Sequence, residues 1–110
     1  MEQLIKNANE FLDSASENFT KKRFNASVSD FFKSIVIFSD YLIYQEIKRL
    51  PKNHNDRFNL LKIYFEEIYE NVSLLFKTYI KSYNLNMQKI DAIKLGAYAN
   101  ELKNFVTNKN

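Results

Sequence analysis

The sequence predicts an all-α domain, an antiparallel up-down-up-down four-helix bundle, and three observations point there. A chain of 110 residues with one Gly and one Pro has little material for the turns a β fold needs. Apolar residues recur at helical spacing along most of its length. The strongest run is Phe24, Val28, Phe31, Ile35, Phe38 and Leu42, spaced 4-3-4-3-4 on one helical face, with Phe32, Val36, Ile43 and Ile47 filling the adjacent one. A helix that is apolar around so much of its circumference needs neighbours on more than one side, so this segment is the expected central strut.

Helix by helix, the first is expected over about residues 2–18, with Leu4, Ala8, Phe11, Ala15 and Phe19 inward and Ile5 and Leu12 beside them. Lys21-Lys22-Arg23 follows as a solvated turn. The second helix is expected over about 23–49, since no breaker intervenes before Pro51, which disfavours helical geometry at the residue before it. Residues 50–56 then combine proline with Asn and Asp, the residues that bond their own backbone in turns and at helix starts, with His54 or Asn55 beside the cap. Phe58, Leu61, Phe65, Ile68, Val72, Leu75 and Tyr79 predict a third helix running unbroken to about Tyr83. Tyr83 to Asn86 reads as the next turn. The fourth helix, about 87–106, is expected to face Ile90, Ile93, Leu95, Ala97, Tyr98, Leu102 and Phe105 inward, with Gly96 and Ala97 permitting close helix contact.

One domain spanning 1–110 is the expectation at this length. Cysteine is absent, excluding disulfides, thiolate metal sites and a cysteine nucleophile. The N-terminal residues lack the basic start and apolar run of a signal peptide, and no stretch approaches the roughly 20 apolar residues of a membrane span. A cytoplasmic protein without membrane association is expected. The net charge of +3 is spread among 13 carboxylates, a weak footprint for nucleic acid; only Lys21, Lys22 and Arg23 cluster, and any binding of nucleotide or RNA there would fall steeply with salt.

Ten Phe and seven Tyr exceed what one small core needs. Apolar residues outside the main stripes include Ile37, Tyr41, Tyr44, Leu60, Tyr64 and Tyr69; of these Ile37, Tyr41, Tyr44, Tyr64 and Tyr69 are the candidate subunit interface of a homodimer. Glu66, Glu67 and Glu70 share one helical side, but a di-metal bundle site also needs Glu-x-x-His twice, and the chain has a single His. No metal or cofactor is expected. Phosphate-cradling glycine loops, nucleophile elbows and zinc spacings are likewise missing. His54 remains, with Arg49 five positions before it and Arg57 three after. An imidazole exchanging protons near neutral pH beside a guanidinium that holds phosphate is a combination suited to RNA strand cleavage. The structural alternative has His54 flanking a helix start and Arg49 offsetting a helix dipole.

The order of segments carries a resemblance. A short first helix precedes Lys22-Arg23-Phe24-Asn25-Ala26-Ser27-Val28-Ser29-Asp30-Phe31-Phe32-Lys33-Ser34, then Leu50-Pro51-Lys52-Asn53-His54-Asn55-Asp56-Arg57-Phe58-Asn59-Leu60-Leu61, and a closing helix over 90–106. This resembles a small single-domain member of the HEPN superfamily, the higher eukaryote and prokaryote nucleotide-binding domains. The resemblance implies an antiparallel four-helix bundle, often homodimeric, partnered with a minimal nucleotidyltransferase in a two-component, toxin–antitoxin-like system. Active members of the family are metal-independent ribonucleases whose motif is Arg, a polar residue, three to five further residues and His. Arg49 to His54 satisfies the outer spacing, but Leu50 takes the polar position, Pro51 interrupts the segment, and the pair lies earlier than the family's usual catalytic segment. The expectation is therefore a non-catalytic binding or adaptor module, with a ribonuclease toxin using Arg49 and His54 as the alternative.

Overall fold

The structure, a computed structural model, describes residues 1–109. Among the described residues there are five helices and no strand: α1 (Glu2–Thr20), α2 (Phe24–Ile47), α3 (His54–Tyr64), α4 (Glu66–Lys81) and α5 (Lys89–Lys109). The all-α class is as expected, but one predicted helix has become two.

α2 is the strut. Val28, Phe31, Phe32, Ile35, Phe38, Leu42 and Ile43 are buried along it, and α1, α3, α4 and α5 all contact it. The α1–α2 pair packs through small residues. Ala8 and Ala15 are fully buried opposite Ser34 and Ser27, whose hydroxyls donate to the Ala8 and Ala15 carbonyls at 2.9 Å each. A step of seven forward along α2 is matched by seven backward along α1, so the two run antiparallel. Asp30 adds polar bonds at the margin, accepting from Ser14 at 2.7 Å and Asn18 at 3.1 Å. The basic run 21–23 forms the intervening turn. There Lys22 has φ 61°, and the Arg23 N–H donates back to Asn18 O, closing α1 with a left-handed residue that is more often glycine.

The third predicted helix breaks at Phe65. Phe65 (φ −144°, ψ 65°) is at once the C-cap of α3 and the N-cap of α4, its N–H donating to Leu61 O at 2.7 Å and its carbonyl accepting from Tyr69 N at 2.9 Å. Ring contacts show how sharply the chain turns. Phe58 and Phe76 have centroids 5.3 Å apart, as do His54 and Phe76. On one straight helix, residues 58 and 76 would be separated by roughly 27 Å along the axis. α3 therefore folds back along α4 with Phe65 the single residue between them. A continuous helix over 54–81 would also have been about 42 Å long, more than the 38 Å long axis of the whole molecule. The sequence carries one sign of the break: Glu66 and Glu67 lie in the first turn of α4, where carboxylates complement the helix dipole.

The inward face of the last helix also differs from expectation. Ala92, Leu95, Ala99, Leu102 and Val106, a 3-4-3-4 stripe, are buried, and Gly96 with them. Ile90, Ile93 and Phe105, expected inside, are 54%, 45% and 44% exposed, and Ala97 is exposed as well. Close approach decides this. A Cβ at Gly96 would lie 2.9 Å from Phe31 Cζ, so the α2–α5 contact selects the face with the smallest side chains.

A single side chain ties the α4–α5 connection to the start of α2. The Asn25 amide donates to Ser82 O at 2.8 Å and Leu85 O at 2.7 Å, and its oxygen accepts from Met87 N at 2.9 Å. Three bonds at about 1 kcal/mol net each make Asn25 the main fixture of residues 82–87. Asn25→Ala is expected to lower unfolding free energy in urea by about 2 kcal/mol. Asn25→Asp should be no better, because a carboxylate would face two carbonyl oxygens; a fully stable Asp variant would refute this role. Gly96→Ala is expected to cost about 1 kcal/mol in the same assay. It gains helix propensity but drives a methyl into the Phe31 ring, and overpacking of this kind costs about 1–3 kcal/mol.

Candidate functional site

The α2–α3 connection gathers the chain's one imidazole with two guanidinium groups. α2 ends at Lys48 in a left-handed conformation (φ 62°), its N–H donating to Tyr44 O. The N-cap of α3 is Asn53, whose side-chain oxygen accepts from Asp56 N at 2.8 Å, so His54 lies next to the cap, as expected, and is the first helical residue. Asp56 in turn accepts from Lys52 N at 2.9 Å and from Arg49 at 2.9 and 3.4 Å. Its carboxyl is held down at about 2, first by the Arg49 hydrogen bond and then by the Lys52 amide. Arg49 is therefore engaged in fastening the loop.

Arg57 is engaged as well. Its Nε donates to Asp40 Oδ1 at 2.6 Å and its Nη2 to Oδ2 at 3.0 Å, a two-point pair between α3 and α2 with side chains only 11% and 15% exposed. Burial raises the Asp40 carboxyl above its ordinary value, with the hydrogen bonds and charge of Arg57 opposing. The remaining Arg57 nitrogen, Nη1, lies 2.8 Å from His54 Nδ1. Guanidinium has only donors, so Nδ1 must be the acceptor and the ring proton belongs on Nε2. Partial burial, then the Arg57 charge, pulls the imidazole below its usual range, with Asp40 partly offsetting this. The ring leans on an aromatic wall: Phe58 at 6.2 Å, Phe76 at 5.3 Å, and beyond them Phe32 stacked on Tyr79 at 4.6 Å.

Chemically, this is a neutral imidazole whose basic nitrogen is already occupied, beside two cations each paired with a carboxylate. Arg49 and His54 share no bridging partner: Arg49 meets Asp56, and His54 meets Arg57. Sequence reading missed Asp40 and Asp56 as partners, although Asp56 lies in the segment predicted as the loop and Asp40 is one of few charges along the apolar stripe of α2.

The residues expected at a subunit interface are scattered in their burial. Tyr41 is a core residue, 8% exposed; Ile37 and Tyr69 pack partly buried against the core, Tyr44 is half-buried, and Tyr64 is 44% exposed. Among the described residues, no three His, Cys, Asp or Glu side chains converge as metal ligands, so Glu66, Glu67 and Glu70 form no such centre. No described helix is long and apolar enough to cross a membrane. No protein-family model, curated protein or solved structure matches the chain.

The imidazole gives a pH signature. Because the folded state binds the His54 proton less tightly than the unfolded chain, stability falls as pH drops below the ordinary value of 6.5 toward the lowered one. Asp40 acts with opposite sign and lower down, its contribution being lost as pH rises from 3.8 through its raised value. The thermal midpoint of the parent protein is expected to fall more than that of His54→Asn between pH 7.5 and 5.5 (roughly the His titration range). Parallel curves would mean that the ring is not held neutral.

Proposed function

We propose that this chain is a non-catalytic binding module of the HEPN type, an adaptor that self-associates as a homodimer and works with a nucleotidyltransferase-like protein in a cytoplasmic two-component system. On this reading α1, α2, α4 and α5 are the four long members of an antiparallel bundle, and α3 is an arm folded back on α4. The observation that carries the non-catalytic part is the pairing around His54. The imidazole acceptor is taken by Arg57, Arg57 by Asp40, and Arg49 by Asp56. To act on an RNA phosphate, Arg49 would have to leave a carboxylate and His54 would have to leave a guanidinium.

Association is supported by apolar side chains left in water on α3 and α4: Ile63 at 69%, Tyr64 at 44%, Leu74 at 64% and Ile80 at 47% exposed. Ile63 and Tyr64 adjoin at the end of α3, and contiguous exposed apolar side chains mark interaction surfaces. Two measurements test the proposal together. Sedimentation at micromolar concentration is expected to give a dimer, and Tyr64→Glu with Ile63→Lys a folded monomer; a parent protein that stays monomeric removes the dimer. Incubation with single-stranded RNA in chelator is expected to leave the RNA intact. Cleavage that disappears in a folded His54→Ala variant would replace the adaptor reading with the ribonuclease alternative.

A further inference from the structure

α4 and α5 both lean on α2 but make no extended contact with each other. The gap between them is a half-open cavity of about 340 Å³, near the lower bound of roughly 300 Å³ for small-molecule sites. Its walls are aromatic: Phe65 at the α3–α4 corner, and Tyr98 and Phe105 on α5. Its rim is acidic, with Glu66 and Glu67 from α4 facing Glu101 from α5, and among the described side chains no Lys, Arg or His lines it. Among the described residues none of these three carboxylates is in an ion pair. In a chain of net charge +3, such a concentration of unpaired negative charge around aromatic faces runs against the average. The α4 dipole accounts for Glu66 and Glu67 at its first turn. It does not account for Glu101, which sits mid-helix in α5 beside Tyr98.

We propose that this cavity binds a small organic cation, a primary or quaternary ammonium carrying a short apolar or aryl body. The apolar part would lie against Ile68 and Leu102, the cationic head over the aromatic faces, and the carboxylates would supply charge-assisted hydrogen bonds. An anion, including any nucleotide phosphate, is excluded by the same rim. Tyr98 offers a reporter. Its phenol is pushed up to about 12, by burial first and then by the Glu101 and Glu67 charges, and a bound cation that offsets those charges should bring it down. The site is independent of the His54 cluster and of the adaptor reading.

The test is an NMR titration of the whole chain with 2-phenylethylamine, using uncharged 2-phenylethanol as control. The amine is expected to shift Tyr98 and Phe105 resonances saturably, with the alcohol weaker by about tenfold. Binding should weaken with added salt, and with trimethyl(2-phenylethyl)ammonium, whose charge persists at alkaline pH, the Tyr98 ionisation should move downward in the saturated protein. Glu67→Gln combined with Glu101→Gln, both exposed positions outside the core, should lose about tenfold in amine affinity while leaving the circular dichroism spectrum unchanged. Equal binding of amine and alcohol, equal affinity in the double variant, or no saturable shift with the amine would each overturn the proposal. The sedimentation and RNA measurements read neither Glu67 nor Glu101, so failure here is separable from failure of the adaptor reading.

Discussion

Between Ser27 and Gln45, Lys33 is the only exposed residue of α2, and even its ammonium lies 5.6 Å from the Phe11 ring centre. A helix with so little surface left for water cannot be stable alone or in a single pair. The rest of the molecule answers that demand. α1 covers one side through an Ala–Ser seam narrow enough for hydroxyl-to-carbonyl bonds, α5 covers another through Gly96, and α4 covers a third with Phe76 and Tyr79. What these leave open near Asp40 is closed by α3, which arrives carrying the guanidinium that the buried carboxylate requires. The ion pair matters less for net stability than for position: a buried pair is a weak source of stabilisation, but either partner left alone is costly. It therefore fixes where α3 can lie on α2.

This logic separates what could be read in the sequence from what could not. The stripe of α2 is legible because it consists of large apolar residues at helical spacing, and its role as strut follows from its breadth. Ser27 and Ser34 look polar in the sequence and are fully buried, since their hydroxyls find carbonyls that only the α1 approach supplies. α5 holds two overlapping apolar series, one of isoleucines with Phe105 and one rich in alanine. Hydrophobicity favours the first and volume the second, and a helix pressed against Phe31 is governed by volume. The unbroken 3-4 stripe through Phe65 was misleading for a related reason. Periodicity reports which residues share a face on a helix, and both halves keep their faces after the chain has turned back.

The candidate site was legible as a set of residues rather than as chemistry. Arg49, His54 and Arg57 stand close together in the chain, and the spacing invites an acid–base reading. Their protonation and availability depend on two aspartates, one of them seventeen positions upstream of Arg57. The cavity between α4 and α5 was not legible at all. It arises because α4 and α5 each optimise contact with α2 and so diverge from one another, and its acidic rim joins residues from opposite ends of the second half of the chain.

The corner at Phe65 has a consequence for how the chain tolerates changes in length. Most helix–helix connections contain loop residues that absorb an insertion or deletion without disturbing the elements they join. Here one residue ends one helix and begins the next, and both its backbone groups are already used in helical hydrogen bonds. Adding or removing a residue beside it would turn one arm by about 100° relative to the other, carrying Phe58 off Phe76 or Val72 out of the core. In a lineage descended from this chain, the corner should keep its register even where its side chains change.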